Sequence, residues 1–445
     1  MSSDLLSIAK SGAQAARTAL DVTAQNIANA SSDGYIRRSV RMEEVSAAGG
    51  FGRIGDISLS GVRVDRVVRN ADMFRQAEVR RTGSDAARAN SEVAGLENIE
   101  AAVEQSNVFN SIVEFEGSLQ RLAADPVDSS LRASVIENAR TMARTFNIAA
   151  NALDAVGTSL RFEATDGVEQ VNILATELSR VNLRPARAAD ASSDQTTLLD
   201  QRDSLLQQLS NYVDVNTTFN TDQTVTVRLG GAAGPEIVNG GTTAAFAMTT
   251  AADGTISFTL DGTPISPAGG TLTGKSQALT KLADVRSQLD TLATNLASTV
   301  NTAQGNGAAL DGSAGQAMFS GTGAADLALA FDDGGLIATA PAGAGANSRD
   351  PGNLEALRTA LGTNDPAGQM DGLLFDISST VAGRTVTRDA LNSIADSASV
   401  ALQAQAGVDL DHEAVNLIRY QQAFQASGRV MQVASDIFDT LLGIR

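Results

Sequence analysis

Residues 411–445 read DHEAVNLIRYQQAFQASGRVMQVASDIFDTLLGIR. Within that stretch Leu417, Tyr420, Phe424, Ser427, Met431, Ala434, Phe438 and Leu441 recur at alternating intervals of three and four. This heptad seam predicts one helix from about Asp411 to Leu442. The opposite end of the chain carries a matching seam of smaller residues, Leu5, Ile8, Gly12, Ala15, Ala19 and Val22, with a parallel row of Leu6, Ala9, Ala13, Ala16, Leu20 and Ile27. It predicts a helix that stops near Ser32-Asp33-Gly34, where glycine can take the left-handed terminal conformation. One amphipathic helix alone in water has nowhere to bury its stripe. A small seam lets a large one approach, and each large side chain buried contributes at most about 1.5–3 kcal/mol. The two ends are therefore expected to pack on each other or on a neighbouring copy.

Inward from the ends, residues 36–70 read as extended, with Ile57 and Leu59 and then Val62 and Val64 in alternation. A helix is expected over 84–123, with Val108, Ile112, Phe115, Leu119 and Leu122 on one face, broken by Asp125-Pro126. Helices follow over 128–160, 165–183 and 196–212. The period then changes to two at Val213, Val215, Thr217 and Phe219 and at Val225, Val227 and Leu229, and Ile256, Phe258 and Leu260 run into the hairpin signal Asp261-Gly262. Helical periodicity returns at 277–302 and 370–405. The expected fold class is mainly α with a small β-rich domain, an α+β multidomain chain, elongated and nested, with its N- and C-terminal helices packed together. Its expected parts are a coiled-coil-like terminal assembly domain of 1–34 and 408–445, and a mostly helical middle domain of 35–212, 273–302 and 369–407. A β-rich outer domain of 213–272 and a Gly/Ala-rich, loop-like segment of 303–368 complete it.

Composition narrows the function. The 445 residues include 43 % hydrophobic but only 4 % aromatic side chains and no Trp, which suits contacts between helices bearing small residues. A net charge of −18 repels phosphate backbones and anionic lipid, so neither a nucleic acid nor a membrane is an expected partner. No stretch approaches the roughly 18 apolar residues of a membrane span. Cysteine is absent, which excludes disulfides, thiolate metal sites and Cys nucleophiles. The N-terminus shows no basic segment followed by an apolar one, so export, if any, is expected to need no cleaved signal.

Motifs that suggest chemistry lack their context. Gly269-Gly270-Thr271-Leu272-Thr273-Gly274-Lys275-Ser276 fits the phosphate-loop pattern, and Leu327–Asp332 resembles a magnesium-binding strand. The pattern requires a buried parallel strand immediately before it, whereas the upstream residues are polar and hold Pro264 and Pro267. A Gly-rich turn with Ser276 capping a helix is the expected structure. Gly50–Gly55 matches GxGxxG but precedes residues that read as strand, so the dinucleotide context fails too. His412 is the only histidine, which with no cysteine builds neither a zinc site nor a Ser-His-Asp triad, and it is expected to be exposed at a helix start. Asp200 and Asp203 flank Arg202 and are expected in surface or inter-helix ion pairs. Catalytic, cofactor-binding and metal-binding residues are accordingly expected to be none, and an enzyme is not expected.

A family resemblance rests on particular stretches. Ala24-Gln25-Asn26-Ile27-Ala28-Asn29-Ala30-Ser31 with Gly34-Tyr35-Ile36-Arg37-Arg38 resembles the signature shared by the bacterial flagellar axial family of rod, hook and hook-associated proteins. Residues Asp411 to Ser427 look like the hook-associated protein 1 branch of that family. Asp125-Pro126 with Leu131-Arg132 and the run Leu198 to Leu206 are similar to internal motifs of that branch, and the latter argues against the alternative of a hook or rod component. The resemblance implies an extracellular structural subunit of the flagellum, exported by the type III route. It would sit at the hook–filament junction and touch neighbouring copies of itself, the hook protein and a second junction protein. An export chaperone would hold the C-terminal helix before assembly. It adds Asn26, Ile27 and Asn29 to the seam residues as assembly contacts. A nucleotide hydrolase stands as the remote alternative.

Overall fold

The computed structural model describes residues 2–32, 34–47, 58–188 and 193–442, the side chains of 2–4, 46–47, 58–60, 193 and 441–442 excepted. Asp33 and the glycine run Gly50–Gly55 lie outside the described residues. In chain order the helices are α1 (Ser2–Ala28), α2 (Met73–Glu104), α3 (Val108–Ala124), α4 (Ser129–Asn182), α5 (Ser193–Tyr212), α6 (Gly270–Gly305), α7 (Gly352–Asn364), α8 (Pro366–Ala406) and α9 (Leu410–Leu442). The main strands are β1 (Arg38–Ala47), β2 (Ser58–Arg69), β3 (Val215–Phe219), β4 (Val225–Leu229), β5 (Glu236–Asn239), β6 (Thr242–Thr243), β7 (Phe246–Thr250), β8 (Ile256–Leu260) and β9 (Thr263–Ile265). The chain is thus mainly helical with small sheets, as its periodicity predicts. It forms two compact units, one of Met1–Ser84, Val171–Ala245 and Asn392–Arg445 and one of Asp85–Gln170 and Phe246–Leu391. The divisions fall within α2, α4 and α8 and immediately before β7.

In the first unit α1 lies against α9 and against the antiparallel hairpin β1–β2. The hairpin comes close to α1 at Gly61, whose φ of +97° suits glycine and whose missing Cβ would stand 2.2 Å from Ser11 Oγ. Ser11 Oγ accepts from the Val62 N–H at 3.2 Å and donates to the Ile8 carbonyl, so a serine of the helix replaces a strand partner. Asp72 starts α2 by accepting from the backbone N–H groups of Phe74 and Arg75. Antiparallel strands β3–β4–β5–β6 form a sheet locked to the end of α4 by Asn182. The Asn182 amide donates to the Val225 and Gly240 carbonyls and accepts from Val225 N–H, all within 2.9 Å.

The second unit is built around one apolar core that includes Ile112, Phe115, Leu119, Met142, Phe146, Leu289 and Leu357. Phe115 meets Phe319 edge-on at 6.0 Å. The antiparallel sheet β7–β8–β9 belongs here, so the strands of 213–272 are divided between the two units instead of forming one β domain. The segment 303–368 is largely irregular but ordered by buried amides and one arginine. Asn301 accepts from Met318 and Phe319 N–H, Gln304 accepts from Ala338 N–H, and Asn353 donates to the Ala303 and Ala338 carbonyls. Arg132 is buried and donates to the carbonyls of Pro126, Gly334 and Ile337 and to Thr339 Oγ1. These side chains satisfy backbone groups that irregular chain would otherwise bury unpaired.

Two expected boundaries change. The expected helix over 84–123 is two helices, because Asn107 takes a left-handed conformation with φ 62°. The expected helices over 128–160 and 165–183 are one, α4, which carries Leu160, Ala164, Val171 and Ala175 into buried positions across the Gly167 region.

Candidate functional site

The expected Gly-rich turn with Ser276 capping a helix is corrected by the geometry. Gly270 to Ser276 are already helical, the first two turns of α6, and the preceding β9 pairs antiparallel with β8. Ser276 caps nothing: it lies inside the helix and donates to the Ile256 carbonyl at 3.3 Å. Gly274 is needed because α6 runs hard against α2; a Cβ there would stand 2.3 Å from the Arg88 carbonyl oxygen. Lys275 is paired with Glu163, and Asp332 with Arg140. Leu327–Asp332 contains only a two-residue strand, Ala328–Leu329, antiparallel to Phe319–Ser320. No cradle for a phosphate chain exists at this position.

The terminal helices form the other candidate. Gly12 faces Ser427, whose Oγ would stand 3.0 Å from a Cβ on the glycine, and Asn26 faces Glu413. Rising numbers on α1 meet falling numbers on α9, so the pair is antiparallel. Ala15, Ala19 and Val22 of α1 and Ala434 of α9 are buried; Ile8, Gly12, Ile27, Asn29, Leu417, Tyr420, Ser427 and Met431 are half-buried. Leu5, Phe424 and Phe438 remain exposed, at 45 %, 43 % and 52 %. The Leu441 side chain lies outside the described residues. Beyond the seam, α9 also exposes Val415, Ile418, Val430, Val433 and Ile437, which the periodicity did not single out.

At the far end of this pair a polar cluster joins stretches remote in sequence. Asn26, read from sequence as an assembly contact, is buried and wholly engaged within its own chain. Its Nδ2 donates to the Arg38 carbonyl at 2.8 Å and to Glu413 at 3.2 Å; its Oδ1 accepts from the Arg38 N–H and from the Tyr35 hydroxyl. Arg37 donates from Nε to the other oxygen of buried Glu413 at 2.7 Å. Arg38 and Arg69 each reach Asp200 at 2.7 Å, and Arg69 and Arg202 pair with Asp203 at 2.8 and 3.4 Å. The pairs of Arg38 and Arg69 join the hairpin to α5, that of Arg202 lies within α5, and all are turned away from the surface. Burial pushes the Asp200 carboxyl up against the opposing pull of Arg69 and Arg38, and pushes the Tyr35 hydroxyl up as well. His412 is exposed beside this cluster, its N–H bonded to the Asp409 cap.

Sequence reasoning missed the cluster as a unit. Tyr35, Arg37, Arg38, Asp200, Asp203 and Glu413 were each in a stretch singled out, but nothing linear says that they meet. Among the described residues no group of His, Cys, Asp and Glu could hold a metal, and no helix is long and apolar enough to cross a membrane.

Comparisons with known proteins point to flagellar proteins throughout. Residues 93–319 match the model of the flagellar hook-associated protein FlgK helical domain. Residues 6–35 match the flagella basal body rod protein model, and 403–444 the C-terminal model of flagellar basal body rod FlgEFG proteins. The flagellar hook-associated protein 1 of Escherichia coli (strain K12) is 26 % identical over an alignment spanning all of both chains. That of Bacillus subtilis (strain 168) is 29 % identical over 48 % of this chain, a match spanning 44 % of the Bacillus protein. The solved flagellar hook junction protein FlgK of Burkholderia pseudomallei shares the fold with a TM-score of 0.65 at 14 % identity, over 74 % of this chain and 99 % of that one.

Proposed function

The chain belongs to the flagellar hook-associated protein family defined by the FlgK helical domain, and from that premise we propose that it is a structural subunit joining hook to filament, assembled through its terminal helices. The observation that carries this reading is the outer face of α9. Val415, Ile418, Val433 and Ile437 are 43 to 65 % exposed while the helix's inner face is already used by α1. Apolar side chains in such a row are a liability in a free subunit and a contact in an assembled one. The expected neighbours are further copies of the chain, the hook protein and a second junction protein. Before assembly the same face suits an export chaperone, and export without a cleaved signal would place the subunit outside the cell. A rod or hook component is the competing reading, because the terminal matches are shared with rod proteins. The helical-domain match over 93–319 favours the hook-associated assignment.

The test is binding of the full chain to isolated hook ends. Val433→Asp changes a residue that is 57 % exposed, so the melting curve should stay unchanged. Hook binding should weaken by about tenfold or more, the loss expected for one desolvated apolar contact replaced by a charge. Unchanged hook binding in Val433→Asp and Ile418→Asp would remove the α9 face from the proposal.

A further inference from the structure

The sheet β7–β8–β9 of the second unit ends on two unlike edges. Strand β9 is three residues long and holds Pro264, a residue that blunts an edge by removing a backbone donor. Strand β7 runs for five residues with neither proline nor charge. The charge-free run around it is longer, from Ile237 to Ala252, in a chain that carries 51 Asp and Glu and 33 Lys and Arg. An edge without either device is a template for another strand. Strand β3 is also an uncharged edge, but Arg80 and Arg202 of its own chain hold Thr217 and Phe219 there.

The register shows which backbone groups of β7 are open. Ala251 N–H donates to the Thr255 carbonyl at 2.9 Å, and β7 pairs with β8 without a shift from Thr250–Ile256 to Phe246–Leu260. Hydrogen-bonded pairs alternate in an antiparallel ladder, so Ala247 and Thr249 turn their backbone groups to β8 and Met248 and Thr250 turn theirs to the open side. The side chains of Ala247, Thr249 and Thr250 are exposed.

We propose that β7 is an interface for a second copy of the chain, whose own β7 adds antiparallel about a two-fold axis at Thr249. The stretch Ala247-Met248-Thr249-Thr250-Ala251 is self-complementary in that register. Ala247 meets Ala251 of the second copy, Met248 exchanges both backbone hydrogen bonds with Thr250, and Thr249 meets its own counterpart. No charge opposes another, and the small side chains let the two backbones approach. Subunits whose net charge of −18 drives them apart thus meet where neither carries charge. A self-complementary patch closes as a two-fold pair. The strand shares no residue with α9, so this interface is tested separately from the α9 face.

The contact is small, so pairing should be weak and concentration-dependent. Because the chain has no cysteine, Thr249→Cys puts one thiol per subunit on the axis. Mild oxidation of the full chain should then link it into disulfide dimers, since directly opposed residues of a non-hydrogen-bonded pair lie about 4.5 Å apart at Cα. Thr263→Cys, on the proline-guarded edge, should stay unlinked under the same conditions. Sedimentation gives the second reading. Thr249→Glu and Thr249→Lys each set like charges against one another across the axis. Both should weaken dimerisation about tenfold or more, although they move the net charge in opposite directions. Their melting curves should match the parent's, because the side chain is exposed. Val433→Asp should leave the β7 pairing intact. No disulfide dimer from Thr249→Cys, an equal yield from Thr263→Cys, or dimerisation indifferent to both charges overturns the interface; in the last case its loss in Val433→Asp would place the contact on α9 instead.

Discussion

At Asn26 a single amide satisfies a backbone N–H, a backbone carbonyl, a phenol and a carboxylate. Asn26→Ala leaves at least two of these buried and unpaired, each at about 1–3 kcal/mol. The expected outcome is a terminal-helix transition at lower denaturant, seen by hydrogen exchange of α1 and α9, with the 85–170 core unmoved. Glu413 raises the stakes at the same point, because its carboxylate is buried and held by Arg37 and Asn26. A buried charge pair adds little net stability by itself, but stripping one member is destabilising by about 3–5 kcal/mol. Such a cluster fixes which face of α9 meets α1. How far a linear reading reaches is visible here: the seam was legible because helical spacing is periodic, whereas the clamp was not, because its members belong to distant stretches whose encounter depends on the whole fold. A partial signal existed in the preference for arginine over lysine and in the Asp200-Gln201-Arg202-Asp203 run, since guanidinium groups suit burial.

Among the elements, the hairpin β1–β2 is seated on α1 by one glycine. Gly61→Ala must place a Cβ 2.2 Å from Ser11 Oγ and 3.2 Å from the Ile8 Cα in a left-handed conformation. The expected cost is about 1–3 kcal/mol. A crystal structure or cross-linking between positions on β2 and α1 should show the hairpin displaced; unchanged melting would show that the contact is slack. The start of α2 responds to acid for a different reason. Hydrogen bonds from the Arg75 and Phe74 N–H groups hold the Asp72 carboxyl below its ordinary value of 3.8. Its cap is therefore complete above that value and is lost as pH falls through the lower folded value. Amides of the first turn of α2 should exchange faster in that acid window, and Asp72→Asn should abolish the pH dependence. Element boundaries show what periodicity hides. The break expected between 160 and 165 is one that tertiary packing overrides in α4, while the left-handed turn at Asn107 is marked only by an asparagine, which tolerates that conformation. In α7 the signal was present, Leu354, Leu357 and Leu361 at helical spacing and all buried, but the Gly- and Ala-rich setting obscured it.

For the whole molecule, charge is the dominant property. A subunit carrying −18 repels its copies, and the repulsion is long-ranged at low salt. Raising salt from about 10 mM to about 150 mM shortens the screening length from about 30 Å to about 8 Å. Self-association should therefore strengthen with salt, as sedimentation would show; weakening would mean that ion pairs, not apolar faces, hold copies together. The hydrogen bond from Asn26 to Glu413 has a consequence of another kind. It closes a loop of 387 residues, so the clamp has no partner until nearly the entire polypeptide has emerged from whatever delivers it. Loop-closure entropy and high contact order both place this step last. The subunit thus carries a built-in clock: α1, first in the chain, waits for α9, and a truncated product lacking Glu413 stays unclasped.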